Sequence, residues 1–332
     1  MKPDPFEAVV LLPHLCIQNA NAISGPLTWG FPPPSAFAGF VHALQRRLDA
    51  DGARLQLGGV GIVCHVFEPQ VFTPPGRRTQ VFRLTRNPVG QDGGTAAIVE
   101  EGRVHLDISL VITVSGGGCP VNEDQCQALA AQFMAHAEGM RIAGGSVIPY
   151  SARQHHAPHW FTWDHEDSEQ SQKLLRSLRR RLLPGFALVS REALLAQHLA
   201  HLQQTTPHAN ALDALLDLCR LNVEPAQADV EQTAITEKRW TIRRDYPGWL
   251  VPIPVGYAAI SPLYAPGEVR HARDDGTPFR FVESVLSLGE WISPHRIQNL
   301  EQLLWYHDAR PDEGLYRLHN PYAPLDRTYP TA

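Results

Sequence analysis

The sequence predicts an α+β fold. A ferredoxin-like or RRM-like palm of βαββαβ order spans residues 1–150 and carries an inserted thumb or web at about 68–102. A connecting segment at 151–173 leads to a mixed helical and extended C-terminal subdomain over 174–332, packed on the palm. Three observations predict this. Apolar periodicity switches between strand and helix in the order the palm requires. One stretch within that series holds too much glycine and proline to belong to either. Past residue 174, helical patterns and an extended run follow with no internal repeat.

Taken in order, EAVVLLPHLCI at 7–17 is an apolar run of strand length. A helix follows from Ser35 to about Leu48, with Phe37, Phe40, Val41, Leu44 and Leu48 at helical spacing. LQLGGVGIVCHVF at 55–67 and VHLDISLVITV at 104–114 read as the second and third strands. Between them lie Pro74, Pro75, Gly76, Pro88, Gly90, Gly93 and Gly94, the composition of turns in an extended excursion. A loop of that length in a compact domain usually has a function. Asn122 is the expected N-cap of a second helix with acids in its first turn, and GGSVIPY at 144–150 closes the palm as a short strand.

The segment 151–172 is expected to be irregular, and helices resume over KLLRSLRRRLL, SREALLAQHLAHL and ALDALLDLCRL. Residues 222–238, acidic and poor in aromatics, are expected to form a mobile surface loop. GWLVPIPVGYAAISPLY is expected to be extended, and Ser293 with Pro294 to start a last helix over PHRIQNLEQLLWYH.

Charge and composition limit the function. A formal charge of −5 argues against a polyanion gripped by bulk charge but leaves room for a local basic groove. No apolar run approaches a membrane span, and the start MKPDPFEAVV lacks the basic-then-apolar order of an export signal, so a cytoplasmic protein with no membrane partner is expected. Cys16, Cys64, Cys119, Cys126 and Cys219 are scattered, never in C-x-x-C spacing, and read as reduced thiols. No GxGxxG or GxxxxGK[ST] context supports a nucleotide, so no cofactor is expected. His155, His156, His159 and His165 crowd one segment without the spacing of a defined site, so no metal is expected either.

Two stretches point to RNA. Gln18, Asn19 and Asn21 cluster amides, which both donate and accept and so suit base edges; Trp29 sits among prolines in a stiff turn, either stacking on a base or packing. The excursion carries Arg77, Arg78, Arg83 and Arg86, interleaved with Phe72, Phe82 and Asn87, and has no acid between Glu68 and Asp92. Guanidinium groups on phosphates and flat side chains against bases are how a single strand is held. A solvated, charged hairpin is the competing account. Arg46 and Arg47 end the first helix, and Arg141 and Arg153 flank the last palm strand; all four join the candidate RNA contacts. The basic residues of KLLRSLRRRLL could form a phosphate rail or partner surface, and a solvated helix face is the expected account. His42, four residues before Arg46, is a candidate general base for metal-independent RNA cleavage, but no second base stands beside it in sequence, so no catalytic residue is assigned.

Several long motifs are familiar in order: NANAISGPLTWGFPPPSAFAGFVHALQRR, LTRNP, GGTAAIVEEGR, MRIAGGSVIP, RRLLPGFALVSREALL, GWLVPIP, SPLYAPGEVR, RFVESVLSLGEW and GLYR. From about Val10 to Arg317 the chain resembles the family of second Csy subunits of type I-F CRISPR surveillance complexes, within the RAMP superfamily. The resemblance implies a non-catalytic subunit that holds the 5′ handle of the crRNA, pairs with the large subunit as a heterodimer at the tail of the complex, and abuts the adjacent backbone subunit. It implies contact with target DNA in the assembled complex only. Under it the excursion becomes the thumb, and a RAMP-type endoribonuclease processing repeat RNA is the alternative.

Overall fold

In the computed structural model the described residues are 5–86, 88–120, 122–149, 156–225, 240–243 and 246–323. The architecture is mixed α+β: eleven strands in one large antiparallel sheet, with five α-helices among the described residues. The first strand of sequence, β1 (Ala8–Asn21), and the third, β3 (Arg103–Ser115), are aliphatic on both faces along much of their length. Such runs are stable only when both edges and both faces are covered. β1 therefore lies between β3 on one edge and, on the other, β5 (Gly145–Ile148) near its end and β6 (His159–Thr162) near its start. β4 (Arg141–Ile142) forms a hairpin with β5.

On the far side of β3 lies β2 (Gln56–Pro69), and beyond it the sheet runs through β7 (Phe186–Ser190), β9 (Val282–Ile292), β8 (Trp249–Ala259), β11 (Leu315–His319) and β10 (Leu304–Arg310). No break in the sheet marks residue 174. β10 then returns to β2: Val63 and Cys64 of β2 pair with β7, while Val60 and Gly61 pair with β10. One edge of one strand thus holds both ends of a curled five-strand segment. The glycines of β2 make this approach possible. A Cβ on Gly61 would lie 2.7 Å from Leu303 Cγ, and one on Gly59 would lie 2.6 Å from the Tyr306 ring.

α1 (Pro34–Ala50) and α2 (Glu123–Glu138) cover one face of the palm strands, packing Phe37, Phe40, Leu44, Leu48 and Phe133 onto Val10, Leu12, Ile17, Leu106 and Ile108. α1 begins on proline, whose missing N–H is an orphan there anyway. Asn122 caps α2 as expected, its side chain accepting from Gln125 N at 2.8 Å, a contact typically worth about 1 kcal/mol. α3 (Ser168–Arg181) covers part of the opposite face, burying Leu175 and Leu178 beside Val9, Leu11, Val63 and Val111. α4 (Glu192–Thr205) and α5 (Ala211–Cys219) form a small third core with Leu288. No described helix is long and apolar enough to cross a membrane.

Four expectations are corrected. The last helix is absent: 294–307 forms two short 3₁₀ turns, Pro294–Arg296 and Leu300–Leu303, and then enters β10. The apolar run is claimed by the sheet, with Leu304 and Trp305 paired to β2 and the fully buried Trp305 indole donating to Leu188 O at 2.9 Å. The segment 151–172 is not wholly irregular, since it contributes β6 and the start of α3. The basic face of α3 is not simply solvated: Arg179 donates to the carbonyls of His295 and Ile297, and Arg181 contacts His159. Of the expected loop at 222–238, Asn222–Pro225 forms a ribbon with Trp240–Arg243, and 226–239 lie outside the described residues.

Gly61→Ala forces Leu303 and Val111 apart at the shared edge and should cost about 1–3 kcal/mol. Gly39→Ala, on the exposed side of α1 with open space around it, should stabilise by about 0.5–1 kcal/mol. Urea unfolding midpoints of the two variants should move in opposite directions.

Candidate nucleic-acid interface

Among the described residues, the face opposite α1 and α2 is covered only in part. Val9, Leu11, Val63 and Val111 lie under α3, but further along β3 the outward residues turn polar: Ser109, Asp107, His105 and Arg103. A regular strand would keep one phase throughout, and β1 does not. Its core-facing set is Ala8, Val10 and Leu12, then Leu15 and Ile17, then Ala20, so the phase flips twice. Each flip is a register shift against β3, between Leu12 and Leu15 and between Ile17 and Ala20. Within these bulges lie His14 (φ 49°) and Asn19 (φ 57°), both in the left-handed region sparsely used by residues other than glycine.

Around the second bulge the predicted amides gather. The Asn19 amide oxygen accepts from Gln70 Nε2 at 3.1 Å, Asn19 N donates to His105 Nδ1 at 3.2 Å, and the Gln70 amide also meets His105 Nε2. Arg103 donates to the Asn19 carbonyl at 3.4 Å while pairing with Glu101 at 2.6 Å. Gln18 is exposed and faces Ser146 of β5, which in turn faces Arg141 of β4, so the three form a cross-strand row of exposed polar side chains. Asn21 is occupied differently, since its amide both donates to and accepts from the backbone of Ile23 and shapes the turn out of β1.

The excursion leaves β2 and re-enters β3 at this same margin. It is built of two short ribbons, Val71–Phe72 with Val81–Phe82 and Leu84–Arg86 with Ile98–Glu100. Arg77, Arg78 and Arg83 are exposed, and among the described residues none has a carboxylate partner. Arg86 belongs to the second ribbon; Asn87 and Arg153 lie outside the described residues. Trp29, 52% exposed, meets the edge of Phe82 at 5.3 Å, so it leans on the root of the excursion. Gln18, Asn19, Trp29, Arg141 and the excursion are therefore brought to one margin of the sheet.

Arg46 and Arg47 are not. Both are on α1, on the opposite face, and Arg47 donates to the carbonyls of His136 and Gly139 at 3.3 and 3.2 Å, closing the C-terminus of α2. His42 lines a separate cleft of about 1300 Å³ together with His307, His319, Tyr316 and Arg317. His307 is held below the usual imidazole range by burial and then by the neighbouring His42, and it contacts Tyr316 Oη at 3.2 Å.

Sequence reading misses one group. His14 Nδ1 contacts both carboxylate oxygens of Asp107 at 2.9 and 3.1 Å, His65 Nε2 contacts Ser109 Oγ at 2.7 Å, and the His14 and His65 rings stack at 4.1 Å. His156, from the histidine-rich segment, sits with its ring 4.0 Å from that of His14. The available signal is the polar phase of VHLDIS and the lone histidines of LLPHL and VCHVF, each interrupting an apolar strand.

The family model described as CRISPR-associated protein (Cas_Csy2) matches residues 10–318. A curated relative, CRISPR-associated protein Csy2 of Pseudomonas aeruginosa (strain UCBPP-PA14), is 58% identical over 320 residues, covering 96% of each chain.

Burial pushes the Cys64 thiol up to about 12, and the Asp107 carboxylate adds to the shift. At pH 8 only about one such thiol in 10⁴ is ionised. Iodoacetamide at pH 8 should leave Cys64 unlabelled on the time scale that consumes a free peptide thiol, as read by mass spectrometry of tryptic peptides.

Proposed function

Because the chain belongs to the CRISPR-associated Csy2 family, we propose that it is a non-catalytic crRNA-binding subunit of a type I-F CRISPR interference complex, holding the 5′ handle and pairing with the large subunit. One observation carries the reading. The polar, half-buried part of the sheet face ends at a margin where amides, a half-exposed indole and an arginine-bearing excursion converge. A single strand laid there meets side chains that can hydrogen-bond splayed bases and guanidinium groups that can hold phosphates. Net charge is no obstacle, because partner subunits share the RNA path.

The order β5, β1, β3, β2, with α1 after β1 and α2 after β3, is that of a ferredoxin-like or RRM-like palm, and the excursion between β2 and β3 is its thumb. The large subunit and the adjacent backbone subunit are the partners of this reading, in a cytoplasmic complex that meets target DNA only once assembled.

A second reading keeps a place because of the cleft at His42. His307 supplies the second imidazole that the sequence did not offer, which is the minimum for acid–base cleavage of RNA without metal.

Replacing Arg77, Arg78, Arg83 and Arg86 with alanine should weaken handle-RNA binding by the assembled complex and flatten log K against log salt by about 0.7 for each phosphate no longer held. Fluorescence anisotropy across a salt series measures both; an unchanged slope removes the thumb from the RNA path. Repeat RNA incubated with the protein in EDTA should stay intact on a denaturing gel. Cleavage abolished by His42→Ala or His307→Ala would replace the scaffold with the nuclease.

A further inference from the structure

We propose that His14, His65 and Asp107 form a binding site for a divalent transition-metal ion of the zinc class. The proposal stands independently of RNA binding. Its basis is how three adjacent strands are distorted around one point. On one side of β3, the β1 bulge inserts an extra residue opposite Ser109, and His14 occupies it in a left-handed conformation. On the other side, Cys64 pairs with Ile108 and Val66 with Asp107, so His65 is the extra residue of a bulge in β2. Two independent bulges thus bring two imidazoles to one point, that of His14 onto the Asp107 carboxylate and that of His65 onto Ser109 Oγ beside it. Bulges locally disrupt the ladder and recur where a side chain must be re-aimed.

The resulting donor set is suitable. One ligating atom from each of His14, His65 and Asp107 lies within 4.8 Å of the others. Zinc–nitrogen bonds of about 2.0–2.1 Å put tetrahedral ligands roughly 3.3 Å apart, a contraction that side-chain rotation can supply. Two imidazoles and a carboxylate suit a borderline ion better than magnesium or calcium, which prefer all-oxygen shells. His156, beside His14, places a third imidazole at the rim.

The outer contacts are those of a prepared site. His65 Nδ1 donates to Pro184 O at 2.5 Å, which directs the Nε2 lone pair toward the cluster. Ser109 Oγ accepts from His14 N at 3.1 Å and contacts His65 Nε2 at 2.7 Å, so one hydroxyl holds both bulges beside Asp107. The side chains of His14 and Asp107 are 18% and 25% exposed, so an ion has a path in yet is largely withdrawn from solvent. A bound ion would tie β1, β2 and β3 together where the polar face begins.

The test uses the full chain, stripped with a chelator and titrated with Co²⁺ and then Zn²⁺. The expected result is one equivalent of Co²⁺ with the intense visible bands of four-coordinate nitrogen and oxygen ligation, displaced by one equivalent of Zn²⁺. His65→Ala and Asp107→Asn should weaken Zn²⁺ by more than the roughly 10- to 100-fold that loss of an outer partner costs, while His208→Ala, on an exposed loop, should bind as the parent does. Failure to take up one equivalent, or equal affinity in all three variants, overturns the site. Should the ligand variants not fold, X-ray absorption of the Zn²⁺-loaded parent decides: a shell with two imidazoles supports the proposal, and an all-oxygen shell overturns it.

Discussion

The structure depends on the pairing of β1 with β3 and on where that pairing is broken. A strand buried on both faces needs no particular phase, whereas one that passes from a covered to an uncovered face must put its polar residues on the correct side. β1 meets this demand by inserting residues, first at His14 and then at Asn19, each insertion rotating the following side chains to the other face. The left-handed backbone at these residues costs on the order of 1 kcal/mol each, and it persists because the surrounding ladder over-determines it. The same two residues carry the polar clusters of the open face. Backbone distortion and the placement of chemistry therefore have one origin here.

The second organising constraint is crowding around β2. Its Val60 and Ile62 pack in the core under α1 and α2 and its Val63 under α3, while β3 flanks it along its length and β7 and β10 share its other edge. Where the chains come closest the sequence has glycine, and past His65 the strand runs through the exposed Val66 and Phe67 to Glu68 and Pro69, where the excursion begins. The arginine-rich segment is thus rooted in the most constrained strand of the sheet.

Much of this is legible in the sequence. The long strands, the helix over Pro34–Ala50, the Asn122 cap and the excursion follow from periodicity and turn chemistry, which are local signals. The run LEQLLWYH misleads because leucine-rich spacing satisfies both a helix and a strand buried on two faces, and only the vacant edge of β2 decides between them. Asn19 and Arg141 stand out for their chemistry, yet nothing in sequence says that Asn19 shares a network with His105 or that Arg141 aligns with Gln18 through Ser146. The His14, His65 and Asp107 cluster is the clearest case. Its members are separated by 51 and 42 positions and meet only through bulges, which shift register without leaving a compositional mark.

The return of β10 onto β2 also bears on how this molecule can associate. Unpaired strand edges invite other chains to pair with them, and a long flat edge is a route to polymerisation. In the large sheet, one end is consumed by that return, and at the other the outermost strands are the two-residue β4 and the four-residue β6. At these two ends of the sheet, among the described residues, main-chain pairing has little to build on, and a partner there is selected by the charge and shape of side chains on faces and loops.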